Sequence, residues 1–220
     1  MLSLSKHFIM LCQLRLLPIL CCFSFVSPPA SNLSSPLSKF SSEWNDPKYL
    51  KCNTASSAGY MNSKEKEIVY ILNLLRTDPR LFANTVVKKY PEYSGNSNLR
   101  RTTEFKSLMK TLESIKPLPL IAPDASCYAS AQCHAYSSGQ RGYVGHDRKD
   151  KNCKSKKYFN GECCDYGHED PLDILMSLLV DEKVPALGHR MICLGPYRVM
   201  GVSIQPHRSY GHNAVLDFSY

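Results

Sequence analysis

The sequence predicts an α+β sandwich that ends in a β-hairpin. Apolar residues recur at helical spacing through most of residues 62–180, while the last stretch is β-rich around one glycine turn. A further strand is expected near Tyr158–Tyr166, and helices packed with an antiparallel pair make a sandwich. At 220 residues the chain is long enough for one sizeable core and short for two.

Residues 1–30 read as a signal peptide. Lys6 and Arg15 supply positive charge, and Leu16–Val26 is apolar but too short to span a bilayer comfortably. No second apolar run of spanning length follows, so the expected product is secreted, extracellular or periplasmic, and not an integral membrane protein. Residues 31–60 are rich in Ser, Pro, Asn and Ala. They read as a linker or N-terminal arm, with Trp44 and Cys52 as the hints that it docks.

The body is expected over 61–220. Asn62 and Glu65 form a capping-box start, and Ile68, Val69, Ile71, Leu72 and Leu75 follow on one helical face. Asp78-Pro79 restarts a helix with Leu81, Phe82, Val86 and Val87 as its apolar face. A third helix spans Thr103–Ile115, with Phe105, Leu108, Met109, Leu112 and Ile115 inward, and "KPLPLIAP" breaks it. Asp124 caps a small-residue helix over Ala125–Ser138. Asp170-Pro171 opens the next, with Leu172, Leu175, Leu178 and Leu179. "YRVMGVSIQP" and "HNAVLDFSY" make the terminal hairpin through a turn containing Gly211.

The net charge of +8 is spread along the chain. A moderate basic excess permits contact with anionic lipid, cell wall or nucleic acid, but no nucleic-acid motif backs specific nucleic-acid binding. Three of the ten cysteines lie in the signal segment. The odd number left in the body leaves at least one unpaired or paired between chains. Cys153 or Cys193 tied to Cys163 or Cys164 would staple the loop of Glu162 to the helix after His189. Spacing alone does not fix such a pairing.

Four groups stand beside glycines or at element ends: His146 in "VGHD", Glu162 in "NGECC", Asp181 (or its neighbour Glu182) in "LLVDEKVP", and His189 in "ALGHR". Two neutral imidazoles can hold a divalent metal while carboxylates orient them. The same groups can instead relay protons. Taken singly, each histidine reads as a surface or capping residue and Glu162 as a loop ion-pair partner. His168, His207 and His212 read as solvated turn residues. There is no H-E-x-x-H, G-x-S-x-G, P-loop or G-x-G-x-x-G, and Cys133 and His134, as helix neighbours, point apart.

The order "LNLLRTDPRLFA", "AQCHAYSSGQRGYVGHD", "GECCDYG", "LLVDEKVPALGHR" and "MGVSIQPHRSYGHNAVLDFSY" resembles the CAP superfamily of SCP-like extracellular proteins, most closely its short prokaryotic-type branch. The resemblance covers about residues 62–220. It implies a secreted three-layer α-β-α sandwich whose cleft is lined by two histidines and two acids. It matches His146, Glu162 and His189 to three of them. Asp181 fits the fourth best by its spacing ahead of "GHR", with Glu182 as the alternative. It further implies a divalent metal, often Zn2+, on His146 and His189, and lipid, cell-envelope or protein ligands. "GECC" stands where the family has G-E-N, and the T-Q-x-x-W continuation after G-H is missing, so toxin and ion-channel roles are not carried over. The reading that follows is a binding module rather than an enzyme. The alternative is a metal-assisted hydrolase in which Glu162 or Asp181 activates water, and a purely scaffolding role for the cluster remains open.

Overall fold

The structure is a computed structural model that describes residues 34–184 and 186–220, so the signal-peptide reading of residues 1–30 lies outside the described residues. The fold is mixed α+β around one open four-stranded sheet. Strands β1 (Ala122–Pro123), β2 (Gly161–Tyr166), β3 (Val199–His207) and β4 (Gly211–Ser219) lie in the order β1-β3-β4-β2. β3 and β4 form the terminal hairpin, in register from Val199 opposite Ser219 to His207 opposite Gly211. β2 adds antiparallel to β4, setting Glu162 opposite Asp217, and β1 adds parallel to β3.

Helix α1 (Ser63–Thr77) starts at the expected capping box: Asn62 Oδ1 accepts from Glu65 N at 3.0 Å, and Glu65 Oε2 accepts from Asn62 N at 2.8 Å. The other Glu65 oxygen accepts from Ile204 N, joining the cap to β3. Asp78 caps α2 (Pro79–Phe82), which runs through a π turn into α3 (Lys88–Tyr93). Thr102 caps α4 (Thr103–Ser114), Asp124 caps α5 (Ala125–Arg141), Asp150 caps the short α6 (Lys151–Ser155), and Asp170 caps α7 (Pro171–Val180). The last helix, α8 (Gly188–Cys193), carries His189 in its first turn.

Helices cover both faces of the sheet. α5 lies so close to β3 that a Cβ on Gly201 would stand 1.9 Å from the backbone nitrogen of Tyr128, and one on Gly139 would stand 2.1 Å from the carbonyl of Pro206. The side chains between α5 and the sheet are small: Ala131, Ala135, Cys164 and Val215. The opposite face carries the main core, where Cys163, Met200, Val202, Leu216 and Phe218 meet α1 and α7. Asn73 and Arg76 of α1, both fully buried, tie this layer together through backbone groups. Asn73 bonds Ile121 and Cys52, and Arg76 bonds Pro119, Cys193 and Gly195.

Of the two readings for residues 31–60, the described part behaves as a packed arm. Leu37, Phe40, Trp44, Tyr49 and Cys52 are buried in the main core. Trp44 Nε1 donates to Thr85 Oγ1 at 3.0 Å, and the Tyr49 hydroxyl donates to Asp78 at 2.9 Å. The sequence signal for a linker was composition. What overrides it is a series of large side chains that reach the core: Phe40 packs on Tyr93, Trp44 on Phe82 and Tyr49 on Trp44.

The expected cysteine staple is corrected. Cys153 is bonded to Cys133, joining α6 to α5, whereas Cys163, Cys164 and Cys193 are buried free thiols. Adjacent strand residues point to opposite faces. Cys164 therefore joins the α5 side, while Cys163 turns toward α8. No helix among the described residues is long and apolar enough to cross a membrane.

If the arm is structural, removing its anchor must be felt globally. Trp44→Ala is expected to cost about 3–5 kcal/mol, read from the urea midpoint of full-length protein. A midpoint matching the parent would mean the arm is a loose linker.

Candidate functional site

Glu162 is the innermost group. It sits on β2 and is buried, as are Arg148 and Asp217. The Arg148 guanidinium stands 2.6 Å from Glu162 Oε2 and 3.0 Å from Asp217 Oδ2, donates to Ser130 Oγ, and stacks on the Phe159 ring. Two acids and one cation in a dry place cannot all be charged cheaply. Burial pushes the Asp217 carboxyl up, and the neighbouring Glu162 charge pushes it further. Burial also works to raise Glu162, but hydrogen bonds from His146, Arg148 and Asp217 outweigh it and hold the carboxyl below its usual range. Asp217 thus keeps a proton and Glu162 carries the charge. Beyond the Arg148 contact at 2.6 Å, Glu162 Oε2 is left without a well-aligned hydrogen-bond donor, as is Asp217 Oδ1.

His146 is brought to Glu162 by a pinned loop. Gly145 has φ 96°, a conformation that suits glycine. Its N–H donates to the Tyr166 hydroxyl and its carbonyl accepts from His134 Nε2, both at 2.9 Å. His146 Nδ1 then meets Glu162 Oε1 at 2.9 Å, with the ring half-exposed. The hydrogen bond to Glu162, working against burial, raises the imidazole above its ordinary value.

His189 is held in the same fashion. Asp181 Oδ1 takes the ring Nδ1 at 2.8 Å and Oδ2 accepts the His189 backbone N–H at 3.0 Å. Asp181, Lys183 and Leu187 all have positive φ, costly for non-glycine residues. That tight return from α7 into α8 is what sets the acid under the ring. Asp181, not Glu182, makes the contact; Glu182 is exposed and lines the cavity beyond.

All four residues singled out in the sequence therefore meet. The His146 and His189 rings stand 6.0 Å apart. Both present Nδ1 to a carboxylate, which leaves both Nε2 atoms for a ligand. A zinc ion about 2.0–2.1 Å from each nitrogen would sit about 3.2 Å from each ring centre. Rings 6.0 Å apart are within its reach.

Several participants carried no readable signal. His168, expected to be solvated, is half-buried with Nδ1 3.0 Å from the buried Asp165. It shares with His189, Asp181 and Cys164 a cavity of about 580 Å3, of ligand size. His207, also expected in solvent, is buried. It contacts the Tyr143 carbonyl and accepts the N–H groups of Ser209 and Tyr210. On the other side, His146 lines a recess of about 490 Å3 with Arg148, Lys149, Lys154 and Lys157. Behind the cleft, ligand atoms of His134, Glu162 and Cys164 lie within 4.8 Å of one another, so this buried group can hold a metal ion.

Compared with protein-family models, curated proteins and solved structures, the chain finds no match.

The Asp165–His168 pair supplies a pH test. The hydrogen bond that His168 donates to Asp165 raises its imidazole above 6.5, against burial. Its folded value thus exceeds its unfolded one. The added stability is full below pH 6.5 and is lost as pH rises through the folded value. In NMR titrations His168 is expected to titrate above 6.5 in the parent and to fall back in Asp165→Asn. An unmoved midpoint would show the pair to be uncoupled.

Proposed function

We propose that this chain is a secreted, CAP-like binding module whose cleft takes a divalent metal, zinc being the best fit, on His146 and His189. The observation that carries the reading is the pair of carboxylate–imidazole contacts, Glu162 to His146 and Asp181 to His189, facing each other across 6.0 Å. Acids bonded to the far nitrogen fix ring orientation and raise ligand basicity, the usual second support of metal-binding histidines. A sheet with helices on both faces and a terminal hairpin is what the three-layer α-β-α reading calls for. The Cys133–Cys153 disulfide suits an oxidising compartment.

The occupancy of the acids favours binding over hydrolysis. Asp181 spends both oxygens on His189, one on the ring and one on the backbone. Glu162 spends its oxygens on His146, Arg148 and Asp217. A general base must reach an attacking water with an oxygen to spare, and neither acid is so placed. The partner is then a molecule recognised by contact, of lipid, cell-envelope or protein class, seated in the cavity beside His189.

Calorimetric titration of the full chain with zinc tests the cleft. One binding event is expected to disappear in the His146→Ala plus His189→Ala variant, and Asp181→Asn is expected to weaken that event by about 10–100-fold. An isotherm identical in the double variant would remove the metal from this cleft.

A further inference from the structure

Around the inner side of Glu162 lies a second group of donors, two of which, His134 and Cys164, the His146–His189 pair does not use. His134 of α5 is fully buried. Its Nε2 contacts the carbonyl of Gly145 at 2.9 Å, and a carbonyl only accepts, so Nε2 carries the hydrogen. Nδ1 is therefore a bare lone pair, and it has no hydrogen-bond partner. Burial lowers the imidazole pKa and keeps the ring neutral. A buried nitrogen lone pair without a partner calls for an explanation.

Two other potential ligand groups lie beside this ring. Cys164 points to the α5 side of the sheet, and its Sγ also stands 3.7 Å from His146 Nδ1. The carboxylate of Glu162 is the third, within the common 4.8 Å spread. His134 Nδ1 has no hydrogen-bond partner, and a ring nitrogen of His134, a Glu162 oxygen and Cys164 Sγ lie within 4.8 Å of one another without the Nδ1 being satisfied.

We infer that His134, Glu162 and Cys164 form a second metal site, separate from the His146–His189 cleft and distinguished from it by a thiolate ligand. One sulfur, one nitrogen and one oxygen suit a borderline divalent ion such as zinc or cobalt. Bonds of about 2.0–2.3 Å require the three side chains to draw in from their present spacing. On binding, the Cys164 S–H bond breaks, its proton leaves to solvent, and the metal–sulfur bond replaces it. The inference does not need the cleft to bind metal.

Cobalt(II) added to the full chain under nitrogen reads out the ligand type directly. A thiolate-to-cobalt charge-transfer band is expected. It should persist in His189→Ala, which disables only the cleft. It should vanish in Cys164→Ser, with cobalt affinity at that site falling more than about tenfold. Cys164→Ala, which leaves no oxygen donor, should behave the same and guards against a folding artefact in either variant. If bound cobalt gives no such band, or if the band survives both Cys164 variants, the site is not there. A cleft that fails its zinc test while this band persists would refute only the cleft.

Discussion

Glu162 and Asp217 face each other on neighbouring strands, both buried, with the Arg148 guanidinium against each. A lone carboxylate at this depth would take up a proton instead of staying charged. Arg148 makes one negative charge tolerable, and the proton held by Asp217 prevents a second. The result is a neutral buried unit with a single ionised oxygen pair, held in register by the β2–β4 ladder. Because Glu162 keeps the charge, it can grip His146 Nδ1 and turn Nε2 outward. Taking away Arg148 would leave an uncompensated buried charge, the costly half of breaking a buried pair. The orientation of the His146 ring is thus decided one layer below it.

That unit depends in turn on how closely α5 meets the sheet. Gly201 and Gly139 allow backbone against backbone, and only small side chains fill the rest. Close approach delivers Ser130 to Arg148 and His134 to the Gly145 carbonyl. Asn213 of β4 adds bonds to Ala135 and Ser138, so polar groups as well as glycines register the helix on the hairpin. The Cys133–Cys153 bond then holds α6, and with it the lysine-bearing wall of the recess, against the same helix.

The helices were legible because each starts on a side-chain cap and carries an apolar stripe: Asn62 with Glu65, Asp78 with Pro79, Asp124, and Asp170 with Pro171. Glycine contexts and motif order singled out the two histidines and two acids that form the Glu162–His146 and Asp181–His189 contacts. Other features were not, for identifiable reasons. Arg148 lies in a run of basic residues that reads as a solvated surface, and Asp217 in a strand where alternation places an acid on either face. Their burial depends on the strand register, which only the fold supplies. The cysteine pairing failed because spacing is blind to which side of β2 each thiol leaves. For residues 31–60 composition left linker and arm both open, and only Trp44 and Cys52 hinted at docking, because the few large side chains that reach the core are diluted among Ser, Pro, Asn and Ala.

The same cross-strand geometry separates the cleft from the buried donors. Along β2, Glu162 and Cys164 are two residues apart and so share the α5 face, while Cys163 between them faces α8. A carboxylate and a thiol are therefore displayed side by side toward His134, and both also reach His146 Nδ1, the carboxylate at 2.9 Å and the thiol at 3.7 Å. Glu162 is the one side chain common to both groups, which makes its ionised state the link between them. An ion in the buried group would draw Glu162 inward, away from the His146 ring it orients, and would loosen the open pair.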